Sequence, residues 1–128
     1  MNAKKKDTIP LLLIVNSEVR QHIFELLKES HYDPLVVAAP TEVLQHLKGK
    51  KYPVVFMDCE AVAAFGLGIF SKFKVASQSC RLILICDKVH KDHREIVRGA
   101  IEIGIYACLL APYEDWEVLT LVRFYSRV

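Results

Sequence analysis

The stretch VVFMDCE, residues 54–60, decides the fold. Four apolar residues carry the chain into an interior, and Asp58 follows them with no polar residue in between. A buried carboxylate without a partner is expensive, because it loses its hydration and gains nothing in return. Asp58 must therefore either take part in chemistry or be satisfied by partners within the fold.

Five short apolar runs recur along the chain, and each is continuous rather than alternating. Strands that are covered on both faces of a parallel sheet show this pattern. We therefore predict five buried strands, with Asp58 at the end of the third. The runs are PLLLIV (10–15), PLVVAA (34–39), PVVFM (53–57), RLILIC (81–86) and ACLLA (107–111).

Helix-like segments separate these strands. The segment SEVRQHIFELLKES (17–30) repeats apolar residues at helical spacing, with Ser17 as its predicted N-cap. Further helices are predicted over 41–50, 66–76, 93–104 and 114–128. Strict alternation of strands and helices predicts a parallel sheet with helices on both faces. Binding and catalytic sites of such sheets lie at the carboxyl ends of the strands, which is where Asp58 falls.

Length and charge narrow the possible functions. A chain of 128 residues suits one domain with a proper core, and we predict a flexible tail over 1–8 and a single domain over 9–128. The net charge of +2 includes the adjacent Lys4, Lys5 and Lys6, so no basic face for direct nucleic-acid binding is expected. No apolar segment approaches the roughly 20 residues of a membrane helix.

The cysteines follow no metal-ligand spacing. We predict that they are small core residues of a reduced, cytoplasmic protein, and that the chain has no metal site and no catalytic residue. His90 and His93 are expected to lie exposed at the start of the fourth helix. The four cysteines are Cys59, Cys80, Cys86 and Cys108.

The chain resembles the receiver domain of two-component response regulators over essentially its whole length. Asp58 closes the third strand at the position of the family's phosphoacceptor aspartate, and Gly66 with Leu67 follows eight residues on. The run AIEIGIYACLLAPYE (100–114) is similar to the family's stretch from the fourth helix through the fifth strand, including Pro112, whose preceding peptide bond is typically cis in the family. The resemblance implies a doubly wound (βα)5, flavodoxin-like three-layer α/β sandwich with strand order 2-1-3-4-5.

Most positions that this family uses for phosphorylation hold other residue types here. The family combines its aspartate with an acidic pair that holds magnesium, a hydroxyl residue and a lysine that contact the phosphoryl group, and an aromatic switch residue. The resemblance therefore implies an atypical receiver in which magnesium binding and phosphorylation of Asp58 are weak or absent. The replacements are Asn16 and Ser17 for the acidic pair, Cys86 for the hydroxyl residue, Ala111 for the lysine and Cys108 for the aromatic switch.

The favoured function is a signalling module, not an enzyme. In the family, the fourth helix, fifth strand and fifth helix form the usual output surface, which here would bind a protein partner or a second copy of the chain. Its mixed charges suit reciprocal pairing across a two-fold axis. The residues expected on this surface are Arg94, Arg98, Glu102, Glu117, Arg123 and Tyr125.

Two alternatives remain open. In the first, Asp58 is a working phosphoacceptor assisted by Glu60 or Asp87, is phosphorylated by a histidine kinase, and regulates an attached or separate effector such as a transcription regulator. In the second, the chain is a flavodoxin-like ligand-binding protein. The turn NSEVR (16–20) disfavours this second alternative, because it has no glycine and few small hydroxyl residues to cradle a phosphate.

Overall fold

Strand β3 (Val54–Asp58) lies at the centre of a five-stranded parallel sheet. The structure, a computed structural model, describes residues 9–49, 53–86 and 91–123. The strand order β2-β1-β3-β4-β5 confirms the topology that the resemblance implied. The other strands are β1 (Pro10–Leu13), β2 (Leu35–Val36), β4 (Arg81–Cys86) and β5 (Ala107–Leu110).

Helices cover both faces of this sheet. Helix α1 shows why: its buried residues Val19, Ile23, Leu26 and Leu27 form one apolar stripe at helical spacing, and that stripe packs on the sheet. The described ranges contain the helices α1 (Ser17–Glu29), α2 (Pro40–Leu47), α3 (Cys59–Phe65), α4 (Gly68–Ala76), α5 (Lys91–Ile103) and α6 (Asp115–Arg123).

Alternate residues of the strands enter two separate hydrophobic cores. In β3, Val55 and Met57 face the core formed with α2, α3, α4 and α5, whereas Val54 and Phe56 face the core formed with α1 and α6. All four side chains are fully buried. Because both faces of the strand are covered, its sequence is continuously apolar, as predicted.

The register of the sheet brings the carboxyl ends of its strands to one edge. Met57 pairs with Leu13 of β1 on one side and with Leu84 of β4 on the other. Asp58 then pairs with Ile85. The side chains that end β1, β3, β4 and β5 therefore meet at this edge, as expected for a doubly wound sheet.

The segment after β3 differs from the prediction. One helix was expected over 66–76, but the described chain has two helices between β3 and β4, α3 and α4. Asp58 is the N-cap of α3, and Gly66 ends it with a φ of 92°, a conformation that favours glycine. The start signal of α3 is thus Asp58 itself, for which the sequence interpretation predicted either a chemical role or partners within the fold, but not the N-cap of a helix.

Several predicted features lie outside the described residues. They are the tail over 1–8, Asp87, His90 and Tyr125. Among the helices within the described ranges, none is both long enough and apolar enough to cross a membrane.

Candidate functional site

The carboxylate of Asp58 is buried and is hydrogen-bonded by backbone amides. Its Oδ1 accepts from the N–H groups of Val15 at 3.1 Å and Ala61 at 2.9 Å, and its Oδ2 accepts from the N–H of Asn16 at 2.8 Å. Asp58 is only 2% exposed. Hydrogen bonds to charged groups contribute about 1.5–3 kcal/mol each, so these bonds offset the cost of burying the charge. The buried carboxylate therefore has partners within the fold.

Two helices begin beside this carboxylate. The bond from Ala61 closes the first turn of α3, and Asn16 caps α1, because its Oδ1 accepts the N–H of Val19 at 3.0 Å. The prediction of Ser17 as the N-cap of α1 is wrong by one residue: Ser17 is the first helical residue, and it is exposed. The amino ends of both helices favour a negative charge, which adds to the stabilisation of ionised Asp58.

The other predicted positions lie at the ends of β4 and β5. Cys86 is the last residue of β4, and its carbonyl accepts the N–H of Ala111 at 2.9 Å. The peptide bond between Ala111 and Pro112 is cis, as the resemblance implied. Cys108 is half-buried and precedes Leu110, the sheet partner of Cys86, by two positions. All of these residues are close to the edge that holds the buried carboxylate.

The residue types at this edge restrict its chemistry. Magnesium takes oxygen ligands in a near-ideal octahedron and is usually held by carboxylates together with water. At the positions matched to the family's site, Asp58 supplies the one carboxylate, and both of its oxygens accept backbone hydrogen bonds. Ala111 has no charged group to pair with a phosphoryl oxygen, which Lys or Arg would bind strongly.

A second group of side chains lies beside this edge, and the sequence interpretation missed it. The Sγ atoms of Cys59 and Cys86 and a ring nitrogen of His93 all lie within 4.8 Å of one another. The prediction that His93 is exposed is wrong, since it is half-buried. One signal was available: Asp58 pairs with Ile85, so the two cysteines that follow these residues stand side by side.

The environment of Cys59 and Cys108 raises the pKa of both thiols. Burial, a hydrogen bond with Cys86 and the charges of Cys86, Cys108 and Asp58 raise the pKa of the Cys59 thiol far above its usual range. Burial and the charge of Cys86 raise the pKa of Cys108 to about 11. Charges shift a neighbouring pKa strongly only over short distances, so these three thiols form one interacting group.

Comparison with solved structures shows that the chain has the fold of receiver domains. A response regulator receiver domain protein (CheY-like) from Methanospirillum hungatei is 12% identical, with 94% of this chain and 95% of that chain covered and a TM-score of 0.69. A response regulator from Thermotoga maritima is also 12% identical, with 94% and 98% covered and a TM-score of 0.72.

The receiver domain of a sensor histidine kinase from Pseudomonas aeruginosa has a magnesium ion coordinated in its active-site cleft. It is 16% identical to this chain, with 94% of this chain and 98% of that chain covered and a TM-score of 0.73. No protein-family model matches the sequence, and no curated protein matches it significantly. At these identities, the likeness establishes the fold.

Replacing Asp58 by asparagine tests its hydrogen-bonding role. The asparagine side chain keeps one acceptor oxygen but turns an NH₂ donor toward backbone N–H groups. We expect Asp58→Asn to lower the free energy of unfolding by about 2–3 kcal/mol, as measured by urea denaturation. A magnesium site crowded with carboxylates behaves oppositely, because removing one charge relieves repulsion. Unchanged or increased stability would therefore contradict the role assigned to Asp58.

The matched control is Glu60→Gln, which makes the same chemical change two residues away on a half-buried side chain. Substitutions outside such buried networks usually change stability by less than about 0.5 kcal/mol. A difference between the two variants therefore reports on the hydrogen bonds of Asp58 and not on net charge.

Proposed function

We propose that the chain is an atypical receiver domain, a signalling module that acts through protein–protein contacts and has weak or absent aspartyl phosphorylation. The observation that carries this proposal is the Asp58 carboxylate, which is 2% exposed and accepts three backbone hydrogen bonds. Attack on a phosphoryl group needs an accessible oxygen lone pair and cations that neutralise the developing charge. The carboxylate is buried, and three of its roughly four lone-pair sites accept hydrogen bonds. The residues at the positions where the family supplies the metal ligands and the cation are Asn16, Ser17 and Ala111.

Magnesium binding at this edge is accordingly weak or absent. A single carboxylate provides little of the charge that draws the ion out of water. Binding would also have to replace the hydrogen bonds from Val15, Asn16 and Ala61. The low negative charge at this edge and the loss of the hydrogen bonds both oppose magnesium binding. Phosphorylation of Asp58 would therefore lack both a bound metal ion and an accessible carboxylate oxygen.

The surface proposed for partner binding consists of α5, β5 and α6, and we call it the α5–β5–α6 surface. β5 is an edge strand, so one side of it is not covered by another strand of this sheet. Large apolar side chains on this surface are exposed, Ile101 at 61%, Leu110 at 55% and Trp116 at 65%. Burying such side chains against a partner is favourable in proportion to the area removed from water.

The occupant that this surface fits best is a second copy of the chain. Charges of both signs lie beside the apolar side chains: Arg94, Arg98 and Glu102 on α5, with Arg123 on α6, are all exposed. A two-fold axis places each patch against its own copy, so a surface with both signs can pair with itself. A partner that differs from this chain, such as a histidine kinase, is the competing outcome.

We also propose that the protein works in the cytoplasm. All four cysteines lie within the described ranges, and none of them forms a disulfide there. Cysteines that stay reduced are typical of proteins in reducing compartments.

Incubation with acetyl phosphate and magnesium tests the loss of phosphorylation. We expect the intact mass to remain unchanged at neutral pH, because the carboxylate of Asp58 lacks access and neutralising cations. A receiver domain that is phosphorylated under the same conditions is the positive control. A mass increase of one phosphoryl group that disappears in Asp58→Asn would show a working phosphoacceptor and overturn the proposal.

Reversing the charge of Arg98 tests the dimer. Because of the two-fold symmetry, the substitution Arg98→Glu occurs twice in the interface. We expect it to weaken self-association about tenfold, which corresponds to about 1.4 kcal/mol. The dependence of self-association on salt concentration should also decrease. Sedimentation velocity over a concentration series measures this effect. Lys72→Glu, the same reversal at an exposed residue of α4, should leave the association unchanged. Monomers at every concentration would contradict the second-copy assignment.

A further inference from the structure

The group formed by Cys59, Cys86 and His93 has the composition of a soft-metal site. Thiolates and imidazoles select ions such as Zn²⁺, whereas carboxylate and water oxygens suit Mg²⁺. The three side chains come from separate parts of the fold: the first turn of α3, the end of β4 and the first turn of α5. They converge because α5 packs on both β4 and α3.

The ligand atoms lie near the spacing that a zinc ion requires. Zinc binds sulfur at about 2.3 Å and nitrogen at about 2.0–2.1 Å in a tetrahedron, which puts neighbouring ligand atoms about 3.5–3.8 Å apart. The three ligand atoms here already lie within 4.8 Å of one another. To bind the ion, these atoms would have to approach one another by up to about 1 Å.

We infer that Cys59, Cys86 and His93 form a zinc-binding site, with water in the fourth coordination position. Two neighbouring thiols alone could equally form a disulfide. His93 favours a metal site, because its imidazole ring can bind a metal ion but has no part in a disulfide bond. The inference does not depend on the proposed signalling function, since it concerns different side chains and a different ion.

The binding step balances in protons and charge. Zn²⁺ takes the place of the thiol protons of Cys59 and Cys86, and about two protons pass to solvent for each ion bound. His93 contributes a lone pair from its neutral ring. The dication and two thiolates sum to zero charge, which suits a buried site where an uncompensated charge would be costly.

A bound zinc ion would link α3, β4 and α5 at the carboxyl edge of the sheet. Cys59 directly follows Asp58, so a zinc ion on Cys59 lies beside the turn that the carboxylate organises. A ligand that binds the folded chain and not the unfolded one raises the apparent stability of the fold. Zinc should therefore raise the melting temperature, and chelation should lower it.

The first experiment measures metal in the protein as it is purified, with a phosphine reductant and without added metal. We expect about one zinc per chain. After chelation, titration with Co²⁺ should give a thiolate-to-cobalt charge-transfer band and the visible bands of tetrahedral cobalt, and Zn²⁺ should abolish both. The inference would be overturned if the purified chain held no zinc and also gave no charge-transfer band with Co²⁺. It would also be overturned if Cys59 and Cys86 formed a disulfide under these reducing conditions and no metal was bound.

Single substitutions then test the ligand set. Removing a residue that only hydrogen-bonds a metal ligand already weakens metal binding about 10–100-fold. Because Cys86 and His93 are proposed as direct ligands, Cys86→Ser and His93→Ala should each weaken zinc binding by more than about tenfold. The matched controls are Cys80→Ser and His46→Ala. Cys80 is also buried, but its thiol donates to the carbonyl of Phe73 at 3.7 Å, outside the group. An equal loss of binding in the controls would overturn the assignment.

Alkylation of the wild-type chain provides a test that needs no variant. Zinc should protect Cys59 and Cys86 from alkylation, as quantified by peptide mass spectrometry, and should leave the alkylation of Cys80 unchanged relative to the same chain with chelator. Equal alkylation of all three cysteines with and without zinc would contradict the site even if a ligand variant fails to fold.

Discussion

The hydrogen bonds of the Asp58 carboxylate fix the carboxyl edge of the sheet. They join the end of β3 to the turn after β1, through Val15 and Asn16, and to the first turn of α3, through Ala61. Neighbouring parallel strands bring their ends together in any case, but the backbone bonds decide how the connecting turns lie. In the proposed function, this buried charge serves the structure, and the local cost of exposing it is what disfavours phosphate chemistry at this edge.

The positions matched to the family's phosphorylation switch hold other residue types here. A switch needs two arrangements that a ligand stabilises unequally, since a ligand with equal affinity for both shifts nothing. Cys86 is a weak hydrogen-bond donor to a phosphoryl oxygen, and Cys108 carries no ring that could turn inward. In our account, Cys86 belongs instead to the zinc-binding group with Cys59 and His93, while Asp58 next to this group remains a fixed anchor.

The apolar runs and the strict alternation predicted five buried strands in a parallel sheet and the edge on which Asp58 lies. The order of the strands was implied by the resemblance to receiver domains. The sequence did not predict α3, whose N-cap is Asp58, or the N-cap role of Asn16. Nor did it predict the group of Cys59, Cys86 and His93. Ligand spacing along the chain reveals sites built within one loop or helix, whereas these residues come from three elements and meet only through the register of β3 with β4 and the packing of α5.

The central claim is that Asp58 is a structural anchor and not a responsive site. Amide spectra of ¹⁵N-labelled protein, recorded before and after addition of beryllofluoride with magnesium, test it most directly. Beryllofluoride mimics a phosphoryl group on an aspartate, so a working receiver responds at its carboxyl edge and on its output surface. Our account predicts that the amide signals of Val15, Asn16 and Ala61 stay in place, as do those of the α5–β5–α6 surface. Saturable shifts at these amides, absent in Asp58→Asn, would contradict it.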